Sequence, residues 1–264
     1  VAYNLKGIAT VTRQKYLTAS EKGPWANSYD RWRNDNLTNR YQGVQFGYTS
    51  AGRYTSWNDI WSYPGYKERD ILPGDYKYED WNGDGEINGQ DEHPFAFDQT
   101  PWLQFSLNAG LQWKNLDFNM LLQGSALGSM EYKEPLHEIW GKNGGGALKQ
   151  FLDRWHPVDP KADPYDPSTV WTSGHYAYTG RWAKNNSAFN RVSTAYLRLK
   201  SIELGYTFPK LKQIPNASLR IYANAYNLLT FTGVKFVDPE HPDDDLGRMY
   251  PLNKTYTLGV SLSF

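Results

Sequence analysis

The sequence predicts an all-β fold: about seven strands forming the C-terminal part of a large antiparallel transmembrane β-barrel with long extracellular loops. Three observations predict it. Apolar and polar residues alternate with period two in segments of about ten residues, close to the roughly 9–11 that a tilted membrane-spanning strand needs. Aromatics make up 16% of the 264 residues, with 20 Tyr and 11 Trp, on a background of low mean hydropathy. Strands that are only half apolar give that combination. The connections alternate in length, and the long ones are rich in Gly, Pro, Asp and Trp.

Taken in order, the first segment sets Val1, Tyr3, Leu5, Ala9 and Val11 against Asn4, Lys6, Thr10 and Thr12. A shorter candidate, YQGVQFGYTS, has Val44, Phe46 and Tyr48 in phase. In PWLQFSLNAGLQW, Leu103, Phe105, Leu107, Ala109, Leu111 and Trp113 alternate with Gln104, Ser106, Asn108, Gly110 and Gln112. A tight turn at Lys114 and Asn115 leads into LDFNMLLQG, with Leu116, Phe118, Met120 and Leu122 on one face, so the two segments form a hairpin.

YLRLKSIELGYTF breaks the rule. Leu197 and Leu199 lie in one phase, while Ile202, Leu204 and Tyr206 lie in the other. A bulge near Lys200 reconciles them, and so does an end that passes beyond the apolar band; both readings stay open at this point. SLRIYANAY then places Leu219, Ile221, Ala223 and Ala225 opposite Arg220, Tyr222 and Asn224. The closing KTYTLGVSLSF sets Tyr256, Leu258, Val260, Leu262 and Phe264 against Thr255, Thr257, Gly259, Ser261 and Ser263.

The links around 114–115 and 209–216 are short, and those at 53–101, 125–190 and 230–254 are long. The link at 17–39 is long where the alternation calls for a short one. Seven strands in an open sheet would leave unpaired backbone groups in hydrocarbon at several kcal/mol each. The strands are therefore expected to pair with others outside this chain. Residues 1–264 are expected to be the C-terminal part of one barrel domain, since the sequence opens at Val1 already inside an alternating pattern. A soluble sandwich also alternates, with its apolar face turned inward. The second reading is accordingly a secreted, calcium-braced β-sandwich that binds carbohydrate.

Composition removes several classes. The 28 basic and 28 acidic residues balance, so no basic surface argues for nucleic acid. The chain has no cysteine, which excludes a disulfide scaffold, a zinc finger and a thiol enzyme. No run of 18 apolar residues offers a spanning helix. Histidines at 93, 137, 156, 175 and 241 lack metalloprotease spacing, and no nucleophile elbow, P-loop or dinucleotide fingerprint is present. Asp243, Asp244 and Asp245 read as a solvated run. The chain is expected not to be an enzyme.

Two stretches carry binding chemistry. DWNGDGEINGQDE, residues 80–92, places oxygen donors at the spacing of an EF-hand loop: Asp80, Asn82, Asp84, Glu86 through its backbone, Asn88 and Asp91. Gly85 stands at the sharp turn, and Ile87 anchors the loop from behind. Hard oxygens at that spacing suit Ca2+ better than Mg2+. The competing reading is an acidic turn that bonds its own backbone. Pro73, Pro94 and Pro101 surround the loop, so paired long helices are not expected and the ion would act as a brace rather than a signal. The second stretch, HYAYTGRW, offers Tyr176, Tyr178, Arg181 and Trp182 as a substrate platform for stacking on sugar faces; loop packing or lid contact is the competing reading.

Six landmarks in order carry a resemblance. They are FGYTSAGRYTSWNDI (46–60), PGDYKYEDWNGDGEING (73–89), FNMLLQGS (118–125), YLRLKSIELGYTFP (196–209), LRIYANAYNLLTFT (219–232) and YTLGVSLSF (256–264). The chain resembles the C-terminal third of a SusC/RagA-type TonB-dependent outer-membrane transporter of Bacteroidota. That resemblance implies a 22-stranded barrel in the bacterial outer membrane, plugged by an N-terminal domain and lidded by an SusD-like lipoprotein. It implies energy from TonB, ExbB and ExbD through a short N-terminal box, and import of glycans or, in some members, peptides. Plug and TonB box are not in this chain. The terminal Phe264 matches the aromatic end that such barrels present to the assembly machinery.

Overall fold

The computed structural model describes every residue except 21–23, 25–27, 29–31, 33–36, 66–69, 134–135, 138, 140–146, 179–185, 209–216, 241–248, 251 and 264. The strands among these are β1 (Ala2–Val11), β2 (Val44–Gly47), β3 (Ser50–Arg53), β4 (Tyr76–Tyr78), β5 (His93–Phe97), β6 (Leu103–Trp113) and β7 (Leu116–Ala126). They continue with β8 (Ser129–Glu131), β9 (His156–Pro157), β10 (Trp171–Thr172), β11 (Arg191–Ser193), β12 (Tyr196–Phe208), β13 (Ser218–Thr232) and β14 (Thr255–Ser263). One short α-helix, α1 (Trp57–Ser62), lies between β3 and β4.

The long strands make one open antiparallel sheet in the order β1-β6-β7-β12-β13-β14. Its period-two faces follow the sequence pattern. Leu5 pairs with Ala109, Leu111 with Phe118, Leu204 with Phe118 and Ala223, and Leu258 with Ala223, so apolar residues share one side across all six strands. That side is bare. Leu258 is 78% exposed and Leu5 70%, and among the described residues no second sheet packs against them. A sandwich requires such a cover, so the carbohydrate-binding sandwich is not the favoured reading.

Two expectations meet the structure with different results. The candidate strand at YQGVQFGYTS is not part of the large sheet. Within it Val44–Gly47 forms a short strand that pairs with β5 instead, and Ser50 already opens β3. Four residues fall far short of a membrane span, and β1 pairs directly with β6 along ten residues, leaving no place between them. The sheet therefore has six strands rather than about seven. This removes the irregular link at 17–39, because everything from 12 to 102 is a single connection. Connections now alternate cleanly: 12–102 long, 114–115 short, 127–195 long, 209–217 short, 233–254 long. The two-residue turn is tight, with Lys114 at φ 54° and Trp113 paired to Leu116.

The bulge decides the phase break in β12. Leu199 pairs with Leu122 and Ser201 with Leu121, so Lys200 has no opposite number in β7. On the other side Lys200 faces both Asn227 and Leu228, since Leu199 pairs with Leu229 and Ser201 with Tyr226. One extra residue restores Ile202, Leu204 and Tyr206 to the apolar side.

Buried apolar side chains gather in the long connections instead of on the sheet. Tyr48, Tyr78 and Ile87 form a small core, with Tyr76 and Phe189 packed against it. The pairs β2-β5 and β3-β4 lie within the 12–102 connection and β8-β11 and β9-β10 within 127–195, and a bridge between Tyr48 and Ser187 joins the two.

Candidate functional site

The inner side of the sheet is polar and carries matched charges. On β13, Arg220 donates to Asp117 of β7 and to Glu203 of β12, the latter at 2.7 Å. Asn224 donates to the second oxygen of Glu203 at 3.4 Å. Gly205, between these strands, leaves the space. A Cβ there would come within 2.6 Å of both carboxylate oxygens of Asp117. A cationic side chain facing lipid at mid-bilayer costs about 2–4 kcal/mol. The ions lie on the side opposite Leu204 and Leu258, so the sheet keeps its charges off its apolar side.

A second cluster lies at the end of the sheet nearest the long connections. Arg198, 1% exposed, donates to Asp238 at 2.6 Å, to Glu240 at 2.7 Å and to Thr230 at 3.0 Å. Tyr196 donates its hydroxyl to Glu240 at 2.8 Å. The cluster pins the 233–254 connection to the wall. Beside it, a recess of ≈ 660 Å³ is lined by Thr10, Gln104, Ser106, Gln123, Ser125 and Tyr196 among others, and Glu240 reaches its rim. Ile8, Phe105 and Leu121 share this lining with the amides and hydroxyls, so it is mixed in polarity. Sequence reading missed Asp238 and Glu240. The available signal was Arg198, a charged residue in the inward phase of a strand, which demands partners.

The 80–91 loop is wound by its own side chains. Backbone N–H groups of Gly83, Asp84 and Gly85 donate to Asp80 at 2.8, 3.2 and 2.8 Å. Glu86 N–H donates to Asp84 at 2.8 Å, and Gln90 N–H to Asn88 at 2.7 Å. Gly83 and Gly85 hold φ of 73° and 85°, which the tight winding requires. Asp91 is fully buried and accepts from Trp81, Asn82 and Asn88 at 2.9, 3.4 and 2.7 Å. Ile87, 5% exposed, plugs into the Tyr48–Tyr78 core, so the loop is anchored at position 8.

These donors fit a hard cation in chemical kind. Burial, and to a lesser degree the like charge of Asp80, push the Asp91 carboxyl up, against backbone hydrogen bonds that pull it down. Among the described residues no three His, Asp or Glu side chains gather as a metal site. Asp80, Asp84 and Asp91 therefore do not converge as a three-carboxylate site in this structure, where the side chains of Asp80, Asp84 and Asn88 bond the loop's own backbone. Asp80 Oδ1 and Asp91 Oδ1 each accept two N–H groups, whereas Asp80 Oδ2 and Asp91 Oδ2 each accept one and keep a further lone pair.

The 175–182 platform is divided. Tyr176 packs edge-on against Phe151 at 4.6 Å, and burial first of all pushes its hydroxyl up to about 12. Its backbone also holds Trp155, so Tyr176 serves loop packing. Tyr178 meets Trp171 edge-on at 5.3 Å. Arg181 and Trp182 lie outside the described residues, as do Phe264, the run Asp243–Asp245 and the turn at 209–216.

No family model matches the chain. Among curated proteins, TonB-dependent receptor P3 of Formosa agariphila is 28% identical over 211 residues, covering 74% of this chain and 19% of that protein. TonB-dependent receptor P26 of the same organism is 27% identical over 239 residues, covering 85% of this chain and 22% of that protein. The chain is also similar in structure to the RagAB peptide importer in its closed-closed state, with a TM-score of 0.57 at 19% identity, covering 99% of this chain and 27% of that one. The resemblance to SusC/RagA-type TonB-dependent transporters therefore holds. A further RagAB peptide transporter structure matches with a TM-score of 0.53 at 21% identity over 84% of this chain. These structures share the transporter fold with the chain. The chain spans about a fifth of the length of its TonB-dependent curated relatives.

Proposed function

We propose that this chain is part of the wall and outer loops of a TonB-dependent importer in a bacterial outer membrane. The observation that carries the reading is the six-strand sheet with a bare apolar side, a charged and polar opposite side, and every long connection at one end. Such a sheet is stable where lipid meets one side and water the other. Its edges, β1 and β14, close only against further strands. Substrate in this reading is an oligosaccharide or a peptide. It passes along the wall bearing Arg198 and Arg220, beneath an SusD-like surface lipoprotein, and TonB, ExbB and ExbD supply energy through the remainder of the transporter. The similarity to TonB-dependent receptors and the RagAB-like fold support this assignment.

The 80–91 loop takes up a divalent cation, Ca2+ in preference to Mg2+, in the same reading. Asp80, Asn82, Asp84, Asn88, Asp91 and the Glu86 carbonyl would hold it. The ion would offset the Asp80–Asp91 repulsion and stiffen the loop against the Tyr48–Tyr78 core. No step of transport is assigned to it.

The test is cellular. Strains carrying the full-length protein are fractionated, and accumulation of radiolabelled oligosaccharides and peptides is measured with and without functional TonB. The expected result is outer-membrane residence, TonB-dependent uptake and co-purification of a surface lipoprotein. Recovery of the protein as a soluble, secreted species would overturn the proposal.

A further inference from the structure

The chain stays extended past the end of β1. Thr12 N–H donates to Trp102 O at 2.9 Å. The backbone then runs beside 39–42, with Tyr16 N–H donating to Arg40 O and Gln42 N–H to Gln14 O, both at 2.9 Å, and Lys15 bridged to Tyr41. The phase that carries Leu5, Ala9 and Val11 on the apolar side falls next on Arg13 and Lys15. We infer that Arg13 and Lys15 hold the phosphate of a lipid headgroup in the outer leaflet of the membrane. The inference rests on the importer reading, which sets lipid against the apolar side and the long connections outside the cell.

The cations are built onto aromatic rings. Arg13 lies over Trp102 at 4.1 Å and over Tyr41 at 4.7 Å, and Lys15 lies over Tyr41 at 5.9 Å. The two rings meet at 5.3 Å, and Trp102 is 5% exposed. Pro101 and Gln104 line the recess on the inner wall, and Trp102 between them does not. A stacked guanidinium has its plane fixed, which leaves its N–H edges set for a bidentate oxyanion. Both cations are exposed, and among the described residues neither has a carboxylate within ion-pair reach.

Depth and charge together select the ligand. Val11, the last residue of β1 on the apolar side, is 65% exposed. An extended, tilted chain sets Arg13 and Lys15 about 5 and 10 Å above it. That interval spans a headgroup layer, which is roughly 5–8 Å thick on each side of the bilayer. A phosphate there offers both cations a charge and several acceptor oxygens at once. The acyl chains of the same molecule would lie along Leu5, Ala9 and Val11. Free phosphate lacks that second attachment, and a neutral headgroup lacks the charge.

The experiment uses the full-length protein, purified in nonionic detergent and stripped of lipid. It is titrated with phosphorylated lipid A and with the same lipid after enzymatic dephosphorylation, and bound lipid is counted by native mass spectrometry. Lipid A is expected to bind saturably, and the dephosphorylated lipid about tenfold more weakly or less. Arg13→Gln with Lys15→Gln should weaken lipid A about thirtyfold, on the scale of roughly fivefold for each cation beside an anionic headgroup layer. Arg13→Lys, which keeps the charge and loses the fork, should fall between parent and double variant. Heat-modifiable migration shows that each barrel is intact, and the comparison of the two lipids needs no variant at all. The inference is overturned if the two lipids bind alike, or if the intact double variant binds lipid A like the parent. It also falls if millimolar inorganic phosphate displaces lipid A at constant ionic strength. A protein that imports through TonB yet gives one of these results sinks only this inference. A protein that never enters the outer membrane sinks the importer reading, and this inference with it.

Discussion

At the residue scale, charges are matched locally, and each match makes a prediction. Arg198 is buried between Asp238 and Glu240, and the Glu240 side chain is 40% exposed. Breaking a buried pair costs about 3–5 kcal/mol, and the exposure of Glu240 places Arg198→Met at the low end. The expected result is rapid protease cleavage within 233–240 while the sheet stays intact, read by limited proteolysis and mass spectrometry. Asp59 behaves differently. The Lys77 ammonium, 2.6 Å away, chiefly holds its carboxyl below the usual range, and Thr55 N–H assists. Because the folded value is lowered, the unfolded loop takes up the proton first. This contribution is complete above about pH 4 and is lost as pH falls through the lowered folded value. Protection of α1 against hydrogen exchange, taken relative to the intrinsic rate at each pH, should be unchanged from pH 7 to 5 and fall below about pH 4, while Asp59→Asn is less protected throughout and shows no further acid step. Trp81 gives a third handle. Adjacent to Asp80 and stacked on His93 at 3.8 Å, it should sensitise terbium bound in the 80–91 loop. Ca2+ should quench that luminescence by displacement, and Asp80→Ala with Asp84→Ala should abolish it; luminescence that survives the double substitution counts against a bound ion.

At the element scale, the bulge in β12 makes the sharpest statement. Spin labels at Leu197, Leu199, Ile202 and Leu204 should report oxygen-rich lipid, and labels at Arg198, Ser201 and Glu203 should report water. Strict alternation through Lys200 in power-saturation measurements would refute the register. Gly205→Ala should displace the Arg220–Asp117 pair and destabilise the barrel by about 1–3 kcal/mol, the usual cost of overpacking, seen as a lower melting temperature in detergent. How much was legible in sequence follows from the same elements. β14 and the β6–β7 hairpin were readable because both their pattern and their turn are local. Val44–Gly47 misled because three in-phase apolar residues fit a strand anywhere, and pairing with His93–Phe97 is decided by non-local contacts. The winding of the 80–91 loop was legible since its side chains and the backbone groups they bond fall within twelve residues. The partners of Arg198 were not, because Asp238 and Glu240 come from a long connection that only the fold brings against β12.

For the whole molecule, stability of the sheet is inseparable from its surroundings. Its apolar side is uncovered, and β1 and β14 each pair on one flank among the described residues. Expressed alone, the chain is expected to precipitate from detergent-free buffer, and to insert into lipid vesicles only when the missing strands are supplied in trans or in cis. Sedimentation and vesicle flotation check this, and a folded soluble monomer would contradict it.

An even count of six strands has a plain geometric corollary. β1 sets out from the short-turn end and β14 returns to it, so Ala2 and Ser263 lie at the end of the sheet opposite Trp57, Asp80 and Trp171. In the importer reading, an epitope inserted at the 114–115 turn of the full-length protein would stay hidden from an antibody applied to intact cells. The same epitope placed in the 159–169 stretch would be stained.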